Sequence, residues 1–272
     1  MAAEPLFFSI CDVVVAIEAP AGETRQALLA NYAAMQVGAK PFHLRYQVDR
    51  RAQEYIAHRD DAVLTASGLG ELVFNIEKDI TLALQRLRTD LYFIHAGVVL
   101  SKRGAVLIIG ASGAGKSTLT WGLVQSGYGY LSDELAPVEP QSLRVFPYPH
   151  ALCLKREPPP PYTLPATTLR TDETLHIPVA AFAAQPAVAS AIGAIVFVQY
   201  APAHTAPAAR EISAGSAAAR LYTQALNPLA HTRMGLPAAA DIVRRVPCYE
   251  LDSAGLQETC ALVQARVAPG IF

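Results

Sequence analysis

Residues 110–117 have the sequence Gly110-Ala111-Ser112-Gly113-Ala114-Gly115-Lys116-Ser117, which matches the spacing G-x-x-x-x-G-K-[ST] of a phosphate-binding loop. The loop follows an apolar run, Ala105 to Ile109, and precedes a segment typical of a helix, Thr118 to Gln125. Glycines let the backbone turn tightly, so that its N–H groups point at a polyphosphate, and the helix adds its positive end. This order of strand, loop and helix predicts a nucleotide site in an α/β domain.

The loop residues have separate expected roles toward ATP and Mg²⁺. Lys116 should reach the β- and γ-phosphates, and the Ser117 hydroxyl should coordinate Mg²⁺. A glycine-rich turn carrying a surface lysine is the plain alternative. We expect the nucleotide to be bound by Gly110, Ala111, Ser112, Gly113, Ala114, Gly115, Lys116, Ser117 and Thr118.

Acidic residues follow the next predicted strand, Tyr128 to Leu131. Asp133 comes about one helix and one strand after Lys116, so the chain should return beside the loop and bring a carboxylate near the γ-phosphate. Asp133 could bind the metal or act as the general base for an acceptor hydroxyl, and Glu134 could be a second metal contact. A turn aspartate with a solvated neighbour is the alternative.

His95 lies in the strand predicted to pair with the one that enters the loop. Its neighbours Phe93, Ile94 and Val98 are apolar, which is typical of a structural histidine. A catalytic role is the alternative for this residue.

The motifs Ile94-His95-Ala96-Gly97-Val98-Val99, Gly110 to Ser117 and Leu131-Ser132-Asp133-Glu134 together resemble the C-terminal kinase domain of HPr kinase/phosphorylase. The resemblance covers roughly residues 91–140. It is closer to the diverged HPr-kinase-related proteins, such as those encoded with lasso-peptide and other peptide-modification systems.

The resemblance implies an ATP-dependent serine kinase with a phosphoenolpyruvate-carboxykinase-like α/β fold. It implies that Asp133 is the base, that His95 assists it, and that Lys116 and Ser117 hold the γ-phosphate and Mg²⁺. The family analogy also suggests a homo-oligomer.

The sequence departs from the regulator in two places. Asp133-Glu134 stands where the regulator has two aspartates, and the glycine-rich signature after its active site is not recognisable here. We therefore expect a protein or peptide acceptor other than HPr, and the sequence gives no support for reverse phosphorylase activity.

Two functions of other classes compete with this kinase. The strand followed by Asp133-Glu134 imitates a Walker B pair, as in an ATPase or nucleotide-gated interaction protein. A small-molecule kinase acting on free serine or a sugar is the other possibility.

The composition of this chain of 272 residues limits its possible partners and its cellular location. A formal net charge of −1 gives no general attraction to nucleic acid or to an anionic membrane. The four cysteines are widely spaced, which argues against a zinc site or a disulfide framework, and the N-terminal stretch does not resemble a secretory leader. The uncharged stretch 178–203 is interrupted by polar residues and proline, so we interpret it as a loop and a buried strand rather than a membrane span. We expect a cytoplasmic protein.

We expect two domains, a small N-terminal α+β unit over residues 1–90 and the kinase domain over 91–272. The predicted elements of the first are a strand Phe7–Ile17, a helix Gly22–Met35, a strand Phe42–Val48, two short strands around His58–Asp61 and a helix from about Lys78. The predicted elements of the second are a hairpin Phe93–Leu100 and Ala105–Ile109, a flexible loop Lys155–His176, a strand Ala194–Tyr200, a helix capped by Ser213, a strand Val246–Leu251 and a final helix capped by Ser253.

Overall fold

The computed structural model describes residues 4–51, 54–182, 188–201, 203 and 206–270, and within them the chain is a mixed α/β protein, as predicted. Its α-helices are α1 (Glu23–Tyr32), α2 (Leu69–Leu87), α3 (Lys116–Gln125), α4 (Ala214–Tyr222), α5 (Leu236–Arg244) and α6 (Leu256–Leu262). Its strands are β1 (Leu6–Ile10), β2 (Val13–Glu18), β3 (Gln36–Val37), β4 (Leu44–Arg51), β5 (Glu54–Arg59), β6 (Ala62–Ala66), β7 (Tyr92–Ser101), β8 (Gly104–Ile109), β9 (Gly129–Ser132), β10 (Leu135–Glu139), β11 (Arg144–Val145), β12 (Leu152–Leu154), β13 (Leu169–Arg170), β14 (Leu175–Ile177), β15 (Ser190–Tyr200), β16 (Ala208–Glu211) and β17 (Cys248–Ser253).

The chain forms two compact units. The first unit comprises residues 1–87, 149–157 and 164–181, and the second unit comprises 88–148, 158–163 and 182–272. The sequence pattern predicted one division, after residue 90, whereas the structure groups two later segments with the first unit.

The first unit contains a six-stranded sheet in the order β3-β1-β2-β4-β5-β6 and a three-stranded sheet in the order β12-β14-β13. Buried Leu44, Tyr46 and Val48 alternate with exposed residues along β4, which gives this strand one core face. Helix α2 buries Leu72, Ile76, Ile80 and Leu84 at helical spacing.

Three expectations for the first unit were wrong. The stretch Phe7–Ile17 is an antiparallel hairpin rather than one strand, because Cys11 and Asp12 take left-handed conformations with φ of 48° and 66°. Helix α2 begins at Leu69 rather than near Lys78, since the Glu71 carboxylate accepts the Ser67 N–H before the first turn. The segment Lys155–His176, expected to be a flexible loop, contains β13 and the start of β14. Strand β14 pairs with both β12 and β13.

The second unit is built on an eight-stranded sheet in the order β11-β10-β7-β8-β15-β17-β16, with β9 also paired to β7. Strands β8, β15 and β17 are parallel neighbours, while β7 is antiparallel to β8. Strand β11 pairs with both β10 and the start of β15, so β7, β8, β15, β11 and β10 form a closed ring. The parallel strands place the ends of β8, β15 and β17 at one edge, where α/β proteins bind ligands.

Alternate residues of β7 face different layers. Tyr92, Ile94, Ala96 and Val98 belong to a buried apolar cluster that includes residues of α4 and α5. Helix α3 packs closely on β7 at Gly97, which alternates with these residues and so lies on the other face of the strand. His95 therefore shares the face covered by α3.

Several predicted elements of the second unit are present, with shifted ends. The hairpin β7–β8, the helix α3 and the strand β15 were all predicted, and the Ser213 side chain caps α4 by accepting the Ser216 N–H. Helix α5 was missed. Ser253 ends β17 instead of capping the last helix, whose N-cap is Gly255. Residues 183–187 of the uncharged stretch lie outside the described residues, and within the described part of the chain no helix is long and apolar enough to cross a membrane.

Candidate functional site

The predicted phosphate-binding loop joins the end of β8 to the start of α3. The Lys116 ammonium folds back over the loop and donates to the carbonyl oxygens of Gly110 at 2.9 Å and Ala111 at 3.3 Å. Its side chain is only 8% exposed, so the loop surrounds this positive charge. The first N–H groups of α3 lie at the same place, since the opening turn of a helix leaves them without intrahelical acceptors.

The glycines of the loop serve two different needs. A Cβ on Gly110 would lie 2.6 Å from the Val198 carbonyl oxygen, so the loop leaves β8 pressed against β15. Gly113 and Gly115 have φ of 81° and 91°, which favours glycine, and a Cβ on either would meet no described atom within 4 Å. The backbone at Gly113 and Gly115 therefore borders open space.

A tight contact sets the position of α3 over β7. A Cβ on Gly97 would lie 2.4 Å from Thr120 Oγ1, so this glycine lets the helix approach the strand. Lys116 precedes Thr120 by one turn, about 6 Å, and His95 precedes Gly97 by two strand residues, about 7 Å. Because α3 and β7 run in the same direction away from the loop, His95 lies level with the start of α3.

Asp133 and Glu134 occupy a break between β9 and β10, both of which pair with β7. The Ser132 hydroxyl accepts the Leu135 N–H at 3.1 Å, and the Glu134 carbonyl accepts the Ala96 N–H at 3.3 Å. These bonds hold the two acidic residues out of the regular ladder. Ser132 had no predicted role, although serines bonding to nearby backbone N–H groups are common at turns.

The structure brings His95 together with Glu134. His95 Nε2 lies 3.3 Å from Glu134 Oε1, and the two side chains are 27% and 52% exposed. Asp133, the residue predicted to be the base, precedes Glu134 in the same break and is buried at 2% exposure. The predicted assistance of the histidine to the acidic centre thus has a geometric counterpart at Glu134, and the individual roles stay predictions.

The backbone of β7 around His95 is held from both sides. Strand β10 pairs with one edge, and on the other edge the Gln224 carbonyl accepts the His95 N–H at 2.8 Å. The buried Asn227 side chain accepts the Phe93 N–H and donates to the Leu91 carbonyl, both at 2.9 Å. This role of Asn227 was not predicted, because a lone asparagine far along the chain carries no motif.

The donors present fit the Mg²⁺ that accompanies ATP. Ser117, half-buried in the first turn of α3, offers a hydroxyl, and Asp133 and Glu134 offer carboxylate oxygens. Mg²⁺ prefers oxygen ligands and is commonly held by one or two carboxylates together with substrate phosphates. Over the described residues no group of three or more histidine, cysteine or acidic side chains could hold a metal ion by itself.

No model of a known protein family matches the sequence, and no curated protein matches it.

Proposed function

We propose that this chain is an ATP-dependent kinase that transfers the γ-phosphate to a hydroxyl group, most readily a serine of a protein or peptide. One observation carries the proposal: the loop around Lys116 and the group formed by His95, Asp133 and Glu134 lie on neighbouring strands, level with the start of α3. An in-line phosphoryl transfer needs a phosphate-binding site and an acidic centre at the same end of the sheet.

Each residue has a task in this reaction. The loop N–H groups and Lys116 bind the phosphate oxygens and stabilise the charge that develops on them. Mg²⁺, held by Ser117 and the acidic residues with the phosphates, would supply further positive charge at that point. Asp133 orients the acceptor hydroxyl and takes its proton, and its burial strengthens that interaction by excluding water. His95 positions Glu134 beside it.

The resemblance to HPr-kinase-like proteins supports the same proposal for the finer fold and for the acceptor. The second unit would then have the phosphoenolpyruvate-carboxykinase-like arrangement, and its acceptor would be a protein or peptide other than HPr.

A P-loop ATPase is a second candidate, and the exposure of Glu134 favours it. This carboxylate is 52% exposed and contacts His95, so it is open to the water molecule that an ATPase must activate. The two functions differ in whether ATP is consumed without an acceptor.

The test uses γ-labelled ATP, Mg²⁺ and candidate acceptor peptides. We expect Asp133→Asn to keep ATP affinity while its transfer rate falls at least about 100-fold, and Lys116→Ala to lose affinity as well. Lys102→Ala, in the β7–β8 turn, and Asp241→Asn, exposed on α5, are matched controls that should change neither. Undiminished transfer by Asp133→Asn would refute the base assignment. ADP release that is as fast without an acceptor as with one would favour the ATPase.

A further inference from the structure

The groups proposed to act on the γ-phosphate all lie on one side of the loop. His95 lies on β7, and Asp133 and Glu134 lie on the far edge of β7, while β8 carries the loop itself. A triphosphate whose γ end faces these residues must extend its nucleoside end to the opposite side. The strand on that side is β15.

Tyr200 is the last residue of β15, close to the loop. Val198, two residues earlier, approaches the loop directly, since a Cβ on Gly110 would lie 3.2 Å from Val198 Cγ1. Side chains two apart share a face, so Tyr200 lies on the same face as Val198, about 7 Å farther along the strand. That displacement leads away from the phosphates in the direction that a nucleoside would take.

The ring of Tyr200 is exposed, and its backbone is fixed. It is 55% exposed. Among the described residues of the second unit, no other phenylalanine, tyrosine or tryptophan is classed as exposed. Tyr200 pairs with Ser253 of β17, the next residue continues the pairing through the Ala201 N–H to the Ser253 carbonyl, and Ser253 Oγ donates to the Gln199 carbonyl. A flat apolar ring on a paired strand end is a preorganised surface for another ring.

We propose that Tyr200 is the stacking platform for the purine base of the nucleoside triphosphate bound at the loop. This inference rests on the proposed nucleotide binding and adds the site of the base. Stacking on an aromatic ring recognises the π face that all bases share, so ATP and GTP bind with similar affinity and the loop supplies the phosphate recognition.

Titration calorimetry with Mg²⁺ separates the base from the phosphates by comparing ATP with inorganic tripolyphosphate. In Tyr200→Ala the affinity for ATP falls roughly ten-fold, in line with the loss of one stacked base, while the affinity for tripolyphosphate is unchanged. Tyr200→Phe retains the affinity for ATP. Phe74→Ala, which removes a similarly exposed ring (58%) from α2 of the first unit, is the matched control and changes neither affinity.

A fluorescence experiment gives an independent readout. The single tryptophan of the chain, Trp121, is fully buried, so Tyr200→Trp introduces an exposed indole at the proposed platform. ATP quenches the emission of this variant, and tripolyphosphate leaves it unchanged.

The outcomes distinguish this inference from the proposed function. Unchanged ATP affinity in Tyr200→Ala, or equal losses for ATP and tripolyphosphate, overturns the stacking role and leaves the loop assignment standing. Binding of neither compound to the unmodified protein overturns both. Indole quenching by tripolyphosphate alone would also contradict the assignment of the base to Tyr200.

Discussion

A histidine and a glutamate meet at the same distance in each unit, in opposite surroundings. His95 Nε2 lies 3.3 Å from Glu134 Oε1 in the second unit, and His150 Nδ1 lies 3.3 Å from Glu77 Oε1 in the first. The side chains of the first-unit pair are 1% and 13% exposed, against 27% and 52% in the second unit. The pairing alone therefore does not identify a reactive site, and access to solvent separates the two cases.

The neighbours of the buried pair belong to a polar network in the core. Asn31 Nδ2 donates to Glu77 Oε2 at 3.4 Å, and His176 Nε2 lies 2.8 Å from Thr174 Oγ1. Burial, with a further contribution from His150, lowers the pKa of His176 to about 4. Such a network specifies core packing, whereas the exposed pair lies beside the loop of Lys116.

The low pKa of His176 makes the stability of the protein depend on pH. The unfolded chain takes up this proton near pH 6.5 and the folded chain near pH 4, so between these values the unfolded state binds more protons. The effect of His176 on the free energy of unfolding is therefore absent above about pH 6.5. Lowering the pH toward 4 should reduce the free energy of unfolding by about 3 kcal/mol. Urea unfolding between pH 7 and 4.5 measures this loss.

The matched variant for that measurement is His176→Gln, which keeps a polar side chain and removes the titration. Its stability should depend less steeply on pH than that of the unmodified protein. Parallel pH profiles for the two proteins would show that the buried histidine titrates normally, and the contrast between the two units would weaken.

Alanine variants of the two paired histidines should affect different properties, stability for His150 and activity for His95. His150→Ala leaves a cavity and the buried Glu77 without this contact, and should lower the free energy of unfolding by about 2–3 kcal/mol. His95→Ala removes a partly exposed side chain, and should change stability by less than about 1 kcal/mol while slowing transfer at least about 10-fold. Chemical denaturation and transfer kinetics measure the two effects, and a His95→Ala variant with full activity would make the exposed pair as structural as the buried one.

Gly97→Ala tests how α3 is held over the exposed pair. The added Cβ would lie 2.4 Å from Thr120 Oγ1, so the Thr120 side chain or the helix must shift, and we expect a loss of about 1–2 kcal/mol in stability together with weaker ATP binding. The double variant Gly97→Ala, Thr120→Ala removes the clashing hydroxyl and should recover most of both losses. Equal defects in the single and double variants would place the cause outside this contact.

Glu134→Gln should have the smallest effect of these variants on stability. An exposed pair of this kind contributes at most about 1 kcal/mol, so the free energy of unfolding should hardly change. A kinase should retain transfer within about ten-fold, because Glu134 acts through the metal, whereas an ATPase should lose hydrolysis. Single-turnover assays with and without an acceptor separate the two results.

Local patterns in the sequence predicted much of the second unit. The run Gly110 to Ser117 predicted the turn before α3, and two apolar runs joined by Ser101-Lys102-Arg103-Gly104 predicted the hairpin of β7 and β8. Helix α5 was missed although the proline in its first turn is a typical start signal, and the first-unit hairpin was missed because Cys11-Asp12 lacks the glycine common in such turns. Segments 149–157 and 164–181 were assigned by their position in the chain, although contacts over long sequence distances group them with the first unit.

The candidate site divides in the same way. The sequence alone determined the loop, because its spacing is contiguous and each glycine or lysine acts through its own backbone or side chain. Only the tertiary structure paired His95 with Glu134, buried Asp133, and set Tyr200 on the opposite side of β8. These relations depend on which strands become neighbours and on which face each side chain points to, and long-range packing decides both.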